Sequence, residues 1–190
     1  LREPNDFQPD KPGRYYTYKV TAEVISLTGE IESGALSLPV GQQPVALQIK
    51  GLRSKVAREK RDTIQILALN LSRQPVTLQA TYVVYALDEK GNKGNEVCRR
   101  TVGTYQSFIP EDILALTPGR YRMEASVLDG QGRACTAEQD FILFSLADAH
   151  LPVYSPEWFY QDGAELDARH PVNLYVGSSE KEVYLLYDVF

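Results

Sequence analysis

Apolar and polar residues alternate along most of this chain with a period of two, the spacing of a strand whose two faces meet different surroundings. The alternation, with its Val, Ile, Thr, Tyr and Leu, predicts strands at YKVTAEVIS (18–26), TIQILALNL (63–71), VTLQATYVVYAL (76–87), YRMEASVLD (121–129) and NLYVGSS (173–179). Turn signals separate them: SLTGE, SRQP, DEKGNKGN and DGQGR, in which Gly and Asn accept the positive φ of hairpin turns. Helical periodicity is confined to PEDILAL (110–116), which has Pro at its start and acids in its first turn and is long enough for one or two turns.

An internal repeat organises these elements. PGRY occurs at 12–15 and again at 118–121, and a second alignment sets YKVTAEVISLTGE (18–30) against YRMEASVLDGQGR (121–133), with Tyr, Ala, Val and Gly in register. Each copy reads as a strand, a Gly turn and a returning strand, about 103 residues apart, a spacing that suits one immunoglobulin-like domain of roughly 100 residues. The expected fold class is therefore all-β, with immunoglobulin-like antiparallel β-sandwich domains in tandem. Residues 1–43 are expected to end one sandwich, 44–146 to form a complete seven-strand one, and 147–190 to supply a linker and the first strands of a third. The seven strands of the middle unit would be PVALQIKGL, DTIQILALNL, PVTLQATYVVYAL, NEVCRRTV, a short strand near GTYQSF, GRYRMEASVLD and RACTAEQDFILFS.

Composition narrows the function classes. The 190 residues are 43% hydrophobic, enough for a core, and the net charge of -5 argues against nucleic acid or an anionic membrane as partner. The basic run KVAREKRD (55–62) is diluted by Glu59 and Asp62 and reads as a solvated loop. No apolar run approaches the roughly 20 residues that span a bilayer, and LREPNDFQPD has no signal-peptide core. The chain lacks an initiating Met and reads as a segment of something larger. Cys98 and Cys135 fit no metal spacing, His150 and His170 lie apart in Pro-flanked loops, and a Cys98–Cys135 disulfide stays open on sequence alone.

Cys135 and Gln139 in RACTAEQD carry the two functional groups of an internal thioester. On a strand they would lie about 13 Å apart, at roughly 3.3 Å per residue, too far to bond. Alternation instead puts Cys135, Ala137, Phe141 and Leu143 on one core face, where Gln139 is an interruption that implies an edge position or a bulge. Catalytic signatures are missing: there is no G-x-S-x-G, H-E-x-x-H or phosphate-cradling glycine loop. The acid pairs Glu111/Asp112 and Glu138/Asp140 read as first-turn and surface carboxylates. The expectation is a non-enzyme with no catalytic, cofactor-binding or metal residues and no cofactor. The most interface-like stretch is LADAHLPVYSPEWFYQD (146–162), where Tyr154, Trp158, Phe159 and Tyr160 either cover a sandwich end as part of a linker or form an external binding patch.

Three groups of residues carry a family resemblance. PGRYYTYKVTAEVISLTGEIESGALSLPV and PGRYRMEASVLDGQGRACTAEQDFILF resemble the terminal hairpins of macroglobulin domains, the sandwich units of the α2-macroglobulin and complement family. KRDTIQILALNLSRQPVTLQATYVVYAL is similar to the central strands of such a unit, with Asn70, Gln74, Pro75 and Val76 on a recurrent N-x-x-x-Q-P-V turn. The tail HPVNLYVGSSEKEVYLLYDVF resembles the opening of the bait-region domain in bacterial members, including those of gut Bacteroidetes. The resemblance implies a structural segment of a protease trap, an endopeptidase inhibitor in the periplasm or at the cell surface of a bacterium, in which a cut in a bait segment triggers collapse. Its implied partners are the neighbouring macroglobulin-type domains of the parent chain and, through the parent, target proteases. Some members carry a thioester at C-x-E-Q; Cys135 stands in C-T-A-E-Q, one residue longer, so that role does not transfer to Cys135 and Gln139. The alternative reading is an immunoglobulin-like adhesin or glycan-binding module of a surface protein, which would need exposed flat rings.

Overall fold

The computed structural model describes residues 15–26, 28–41, 44–130, 132–163, 172–184 and 186. Most of the first PGRY, together with His170 and the end of the tail, lies outside them. The strands are β1 (Tyr15–Ile25), β2 (Ile31–Gly41), β3 (Val45–Lys50), β4 (Lys55–Ala57), β5 (Gln65–Asn70), β6 (Gln79–Leu87), β7 (Lys93–Gly103), β8 (Gly119–Leu128), β9 (Ala134–Phe144), β10 (Trp158–Gln161) and β11 (Leu174–Gly177). One short helix, α1 (Glu111–Leu114), precedes β8 behind Pro110. The described chain is thus all-β, as the alternation predicts.

Five strands form one sheet in the order β4-β9-β8-β6-β7, and β3 pairs with β5 in a second. Every pairing is antiparallel except β4 with β9. The two sheets enclose the main core. Strict alternation on β8 sends Tyr121, Met123, Ala125 and Val127 inward, where they join Tyr82 and Val84 of β6, Cys135, Phe141 and Leu143 of β9, and Val45, Ile49, Ile66 and Ala68 of the facing sheet. This is a two-layer, immunoglobulin-like β-sandwich. Tyr121 adds a device recurrent in that architecture: its hydroxyl donates to the Thr117 carbonyl at 2.6 Å, four residues back, while its ring stacks on Phe141. The Tyr82 hydroxyl donates to the Asp112 carboxylate at 2.6 and 2.8 Å, which ties α1 to the inner face of the large sheet.

Several sequence expectations are corrected. The stretch near GTYQSF is a turn: Tyr105 takes φ 64, and Thr104 Oγ1 accepts from the Leu78 N–H and donates to the Val76 carbonyl, so the chain bends away from a sheet edge. Only Phe108 makes an isolated bridge, to Ile64. KVAREKRD is no simple solvated loop, because Lys55–Ala57 pair with Ile142–Phe144 as β4 and Ala57 is buried. Gln139 sits at no bulge, for the β8–β9 register runs unbroken from Gly119↔Leu143 to Leu128↔Ala134. Its position lies on the stretch of β9 that β4 does not reach, and its side-chain amide donates to the Leu52 carbonyl. Both cysteines are free.

Four of the turns share one construction. In Ser26 to Glu30, Asn70 to Gln74, Asp88 to Asn92 and Asp129 to Arg133, the first N–H donates to the fifth carbonyl, and the fourth N–H to the first carbonyl, at 2.9–3.0 Å. The side chain of the first residue then accepts from the fifth N–H at 2.8–3.1 Å. The fourth residue needs positive φ, and Gly29, Gly91 and Gly132 supply it at 86, 81 and 78°. Arg73 holds the same place at φ 60. The matching turns of the first and last of these hairpins select the alignment with Tyr18 against Tyr121 over the one that overlays the two PGRY copies.

A Cβ at Gly91 would meet no atom within 4 Å. Gly91→Ala is therefore expected to cost about 1 kcal/mol through backbone conformation alone, measured by urea denaturation. Gly130→Ala, in equally open space without positive φ, should stay within about 0.5 kcal/mol of the parent.

Candidate functional site

The run Phe141-Ile142-Leu143-Phe144 at the end of β9 does not alternate, and the fold explains why. Phe141 and Leu143 face the main core, whereas Ile142 and Phe144 face the other side of the large sheet. There a second apolar cluster forms from Ala57, Phe144, Trp158 and Tyr160, with Ile142, Leu151, Val153 and Tyr175 around it. The β10–β11 hairpin supplies its lid. Alternation on β10 turns Trp158 and Tyr160 inward, at 3% and 5% exposure, and Phe159 outward.

Ring geometry fastens this junction. Trp158 and Tyr160 meet the Phe144 ring edge to face at centroid distances of 5.3 and 4.8 Å, and Tyr160 touches Tyr175, its register partner on β11, at 5.8 Å. The basic run reinforces it. Lys55 Nζ lies 4.3 Å from the Trp158 ring centroid and donates to the Phe159 carbonyl at 2.5 Å, and burial pushes its ammonium below the usual pKa. Lys60 Nζ pairs with Asp162 at 3.2 Å. Asp162 also accepts from the Asn173 backbone N–H and side-chain amide at 2.8 and 2.9 Å, which closes β10 onto β11. Those Asn173 bonds, with Lys60 beside them, hold its carboxyl down at about 2. Glu59 accepts from the Ser145 hydroxyl and the Leu146 N–H, fixing the chain as it leaves β9.

The four aromatic residues singled out by sequence thus separate into two roles. Trp158 and Tyr160 are spent inside the chain, covering the outer face of β4–β9. Tyr154 and Phe159 are exposed, at 67% and 49%, and the Tyr154 hydroxyl donates to Glu180. A concavity of about 510 Å³ lies beside the junction, lined by Leu151, Trp158, Tyr175, His150 and Lys181 among others. Phe144, Ala57 and the two lysines escaped the sequence reading. The signal that marks Phe144 is the unbroken FILF run, since four consecutive apolar residues on a strand require burial on both faces.

Chemically reactive groups are engaged elsewhere. Glu111 pairs with Arg61, and Arg122 holds both Asp140, at 2.6 Å, and Glu138, at 3.8 Å. Cys135 is buried in the main core. Burial pushes the Cys98 thiol up to about 12, and the charge of Asp112, which accepts its S–H, adds to the effect. Among the described residues no group of three or more His, Cys, Asp or Glu is placed to hold a metal ion, and no helix is long and apolar enough to cross a membrane. Compared with known proteins, the chain matches no family model and no curated protein.

Trp158 is the sole tryptophan, so intrinsic fluorescence reads the junction directly. Phe144→Ala is expected to shift its emission to the red and to destabilise the chain by about 3–5 kcal/mol, the usual range for emptying a buried ring site. The junction also has an acid limit. Because the Asp162 carboxyl is held below its unfolded value of about 3.9, its contribution is complete above that pH and is lost as pH falls through about 2. A red shift of Trp158 over that window is expected, and Asp162→Asn should reduce it, leaving the share that Glu59 carries through Ser145 and Leu146.

Proposed function

We propose that this chain is a non-catalytic structural segment of a macroglobulin-like protease trap of the bacterial cell envelope, built from sandwich units in series. The observation that carries the reading is the repeated hairpin: β1–β2 and β8–β9 share register and turn hydrogen bonds, and Tyr18, Val20, Ala22 and Val24 of β1 occupy the positions that β8 turns inward as Tyr121, Met123, Ala125 and Val127. A third hairpin, β10–β11, is fixed to the sandwich through rings rather than tethered by a free linker. A frame that holds other parts at set separations, and passes on a collapse, needs such stiff junctions. The macroglobulin assignment itself rests on the sequence resemblance, as do its partners: neighbouring macroglobulin-type domains and, through the parent, target proteases.

Two further features support a frame over a catalyst or a sugar-binding module. Of the acid pairs, Glu111, Glu138 and Asp140 are held by arginines and Asp112 by the Tyr82 hydroxyl; Cys135 is buried and the Cys98 thiol is pushed up, so neither thiol is poised as a nucleophile. A glycan platform needs flat exposed rings, and Trp158 and Tyr160 are consumed by the Phe144 contact. Limited proteolysis of the full-length parent, followed by native gel electrophoresis, tests the reading. A single cut in a bait-like segment is expected to change mobility sharply; unchanged migration would sink the trap assignment.

A further inference from the structure

The segment that leads from β9 to β10 borders two concavities, and Pro152 lines both. One is the space beside Trp158. The other, of about 500 Å³, lies between the sandwich and residues 152–154, and its walls include Leu87 at the end of β6, Glu89 in the turn that follows, and Arg120 of β8. Strand β8 sends Arg120 and Arg122 to the outer face of the large sheet, and register gives them different neighbours. Arg122 stands against Asp140 and grips its carboxylate with two bonds, at 2.6 and 2.9 Å. Arg120 stands against Ile142, half-buried, and makes no hydrogen bond or ion pair with any described residue. A guanidinium is a planar fork of N–H donors that matches a carboxylate two bonds at a time, so one partly withdrawn from water without an anion is an open valence.

The rest of the cleft says what kind of carboxylate fits. The Tyr154 ring is 67% exposed, yet its hydroxyl donates to Glu180 and holds it in place. A fixed, exposed ring offers an apolar face with little conformational entropy left to lose on binding. Asp88, at the rim, has both oxygens filled by the N–H groups of Lys90 and Asn92 and by the Asn92 side-chain amide. Glu89 makes no hydrogen bond or ion pair with the described residues. Its charge disfavours ligands with several negative groups and leaves an acceptor for an N–H beside the carboxylate.

We infer that the cleft between Arg120 and Tyr154 binds a monocarboxylate bearing an apolar or aromatic group, with the carboxylate on Arg120 and the group against the Tyr154 ring. A small free acid and the C-terminal residue of a peptide both present this chemistry. The inference is independent of the trap reading, since unchanged mobility after cleavage would leave the cleft as it is. The test is an NMR titration of the 190-residue chain with 3-phenylpropionate and with the tripeptide Ala-Ala-Phe. Saturable shifts at Gly119, Tyr154 and the Arg120 side-chain N–H are expected, with a dissociation constant on the order of 1 mM for the tighter probe, as suits an open site with one ion pair. The corresponding amides, which lack the charge, should bind about tenfold more weakly, and Arg120→Gln should weaken the acids to the same extent while unfolding in urea as the parent does. Tyr154→Ala, outside the core, should weaken both acids about threefold. Tighter binding of Ala-Ala-Phe, reduced by Glu89→Ala, would assign the ligand as a peptide terminus, and tighter binding of 3-phenylpropionate would assign a free acid. Shifts that never saturate, equal binding of acids and amides, or an Arg120→Gln chain that binds as the parent does would each overturn the inference. So would shifts centred on His150 and Lys181, which would put the anion in the concavity beside Trp158.

Discussion

Successive side chains on a strand point to opposite faces, so the four apolar residues that end β9 cannot share one core. Phe141 and Leu143 close the main sandwich, and Ile142 and Phe144 require a second apolar environment on the far side of the sheet. Much of the remaining architecture answers that constraint. β4 runs parallel beside the segment and floors the site with Ala57, and β10 brings Trp158 and Tyr160 onto Phe144. The sandwich and the following hairpin are consequently joined by packed rings, with Lys55, Lys60 and Asp162 around them.

The turns show how a local rule is reused. A side-chain oxygen on the first residue and a left-handed fourth residue close the chain in four places, with Ser, Asn or Asp in the first role and Gly in three of the four left-handed positions. Arg73 fills the fourth left-handed position without a glycine's freedom. The N-x-x-x-Q-P-V stretch acquires a physical meaning here: Asn70 closes the turn on Gln74, and the chain then returns along β5, with Pro75 bridging Leu69 and the Val76 N–H donating to the Ala68 carbonyl. Side chains follow the same economy: both cysteines pack against the main core, Glu111, Glu138 and Asp140 pair with arginines, and Asp88 and Asp129 close turns.

Strand positions in the sandwich were legible because alternation and turn chemistry act between near neighbours, and β3, β5, β6, β7, β8 and β9 all fall on stretches that the pattern predicts. The strand near GTYQSF failed because Thr104 and Tyr105 are committed to a turn by partners at Val76, Leu78 and Ala68, which no local pattern reveals. β4 was illegible for a related reason. Three residues inside a charged run carry no periodicity, and their pairing depends on Ile142–Phe144, far along the chain.

The aromatic cluster divides along the same line. Tyr154, Trp158, Phe159 and Tyr160 announce themselves by composition, but only the register of β10 on β11 and the presence of Phe144 beneath them decide which rings are buried. By itself the sequence determined an all-β chain, the placing of most of its strands and turns, the repeat of its hairpin, and the impossibility of a thioester between Cys135 and Gln139, all consequences of backbone geometry over a few residues. Tertiary structure alone decided that FILF serves two cores, that Gln139 satisfies the Leu52 carbonyl, and that a basic run clamps a junction, because each depends on groups brought together from distant parts of the chain.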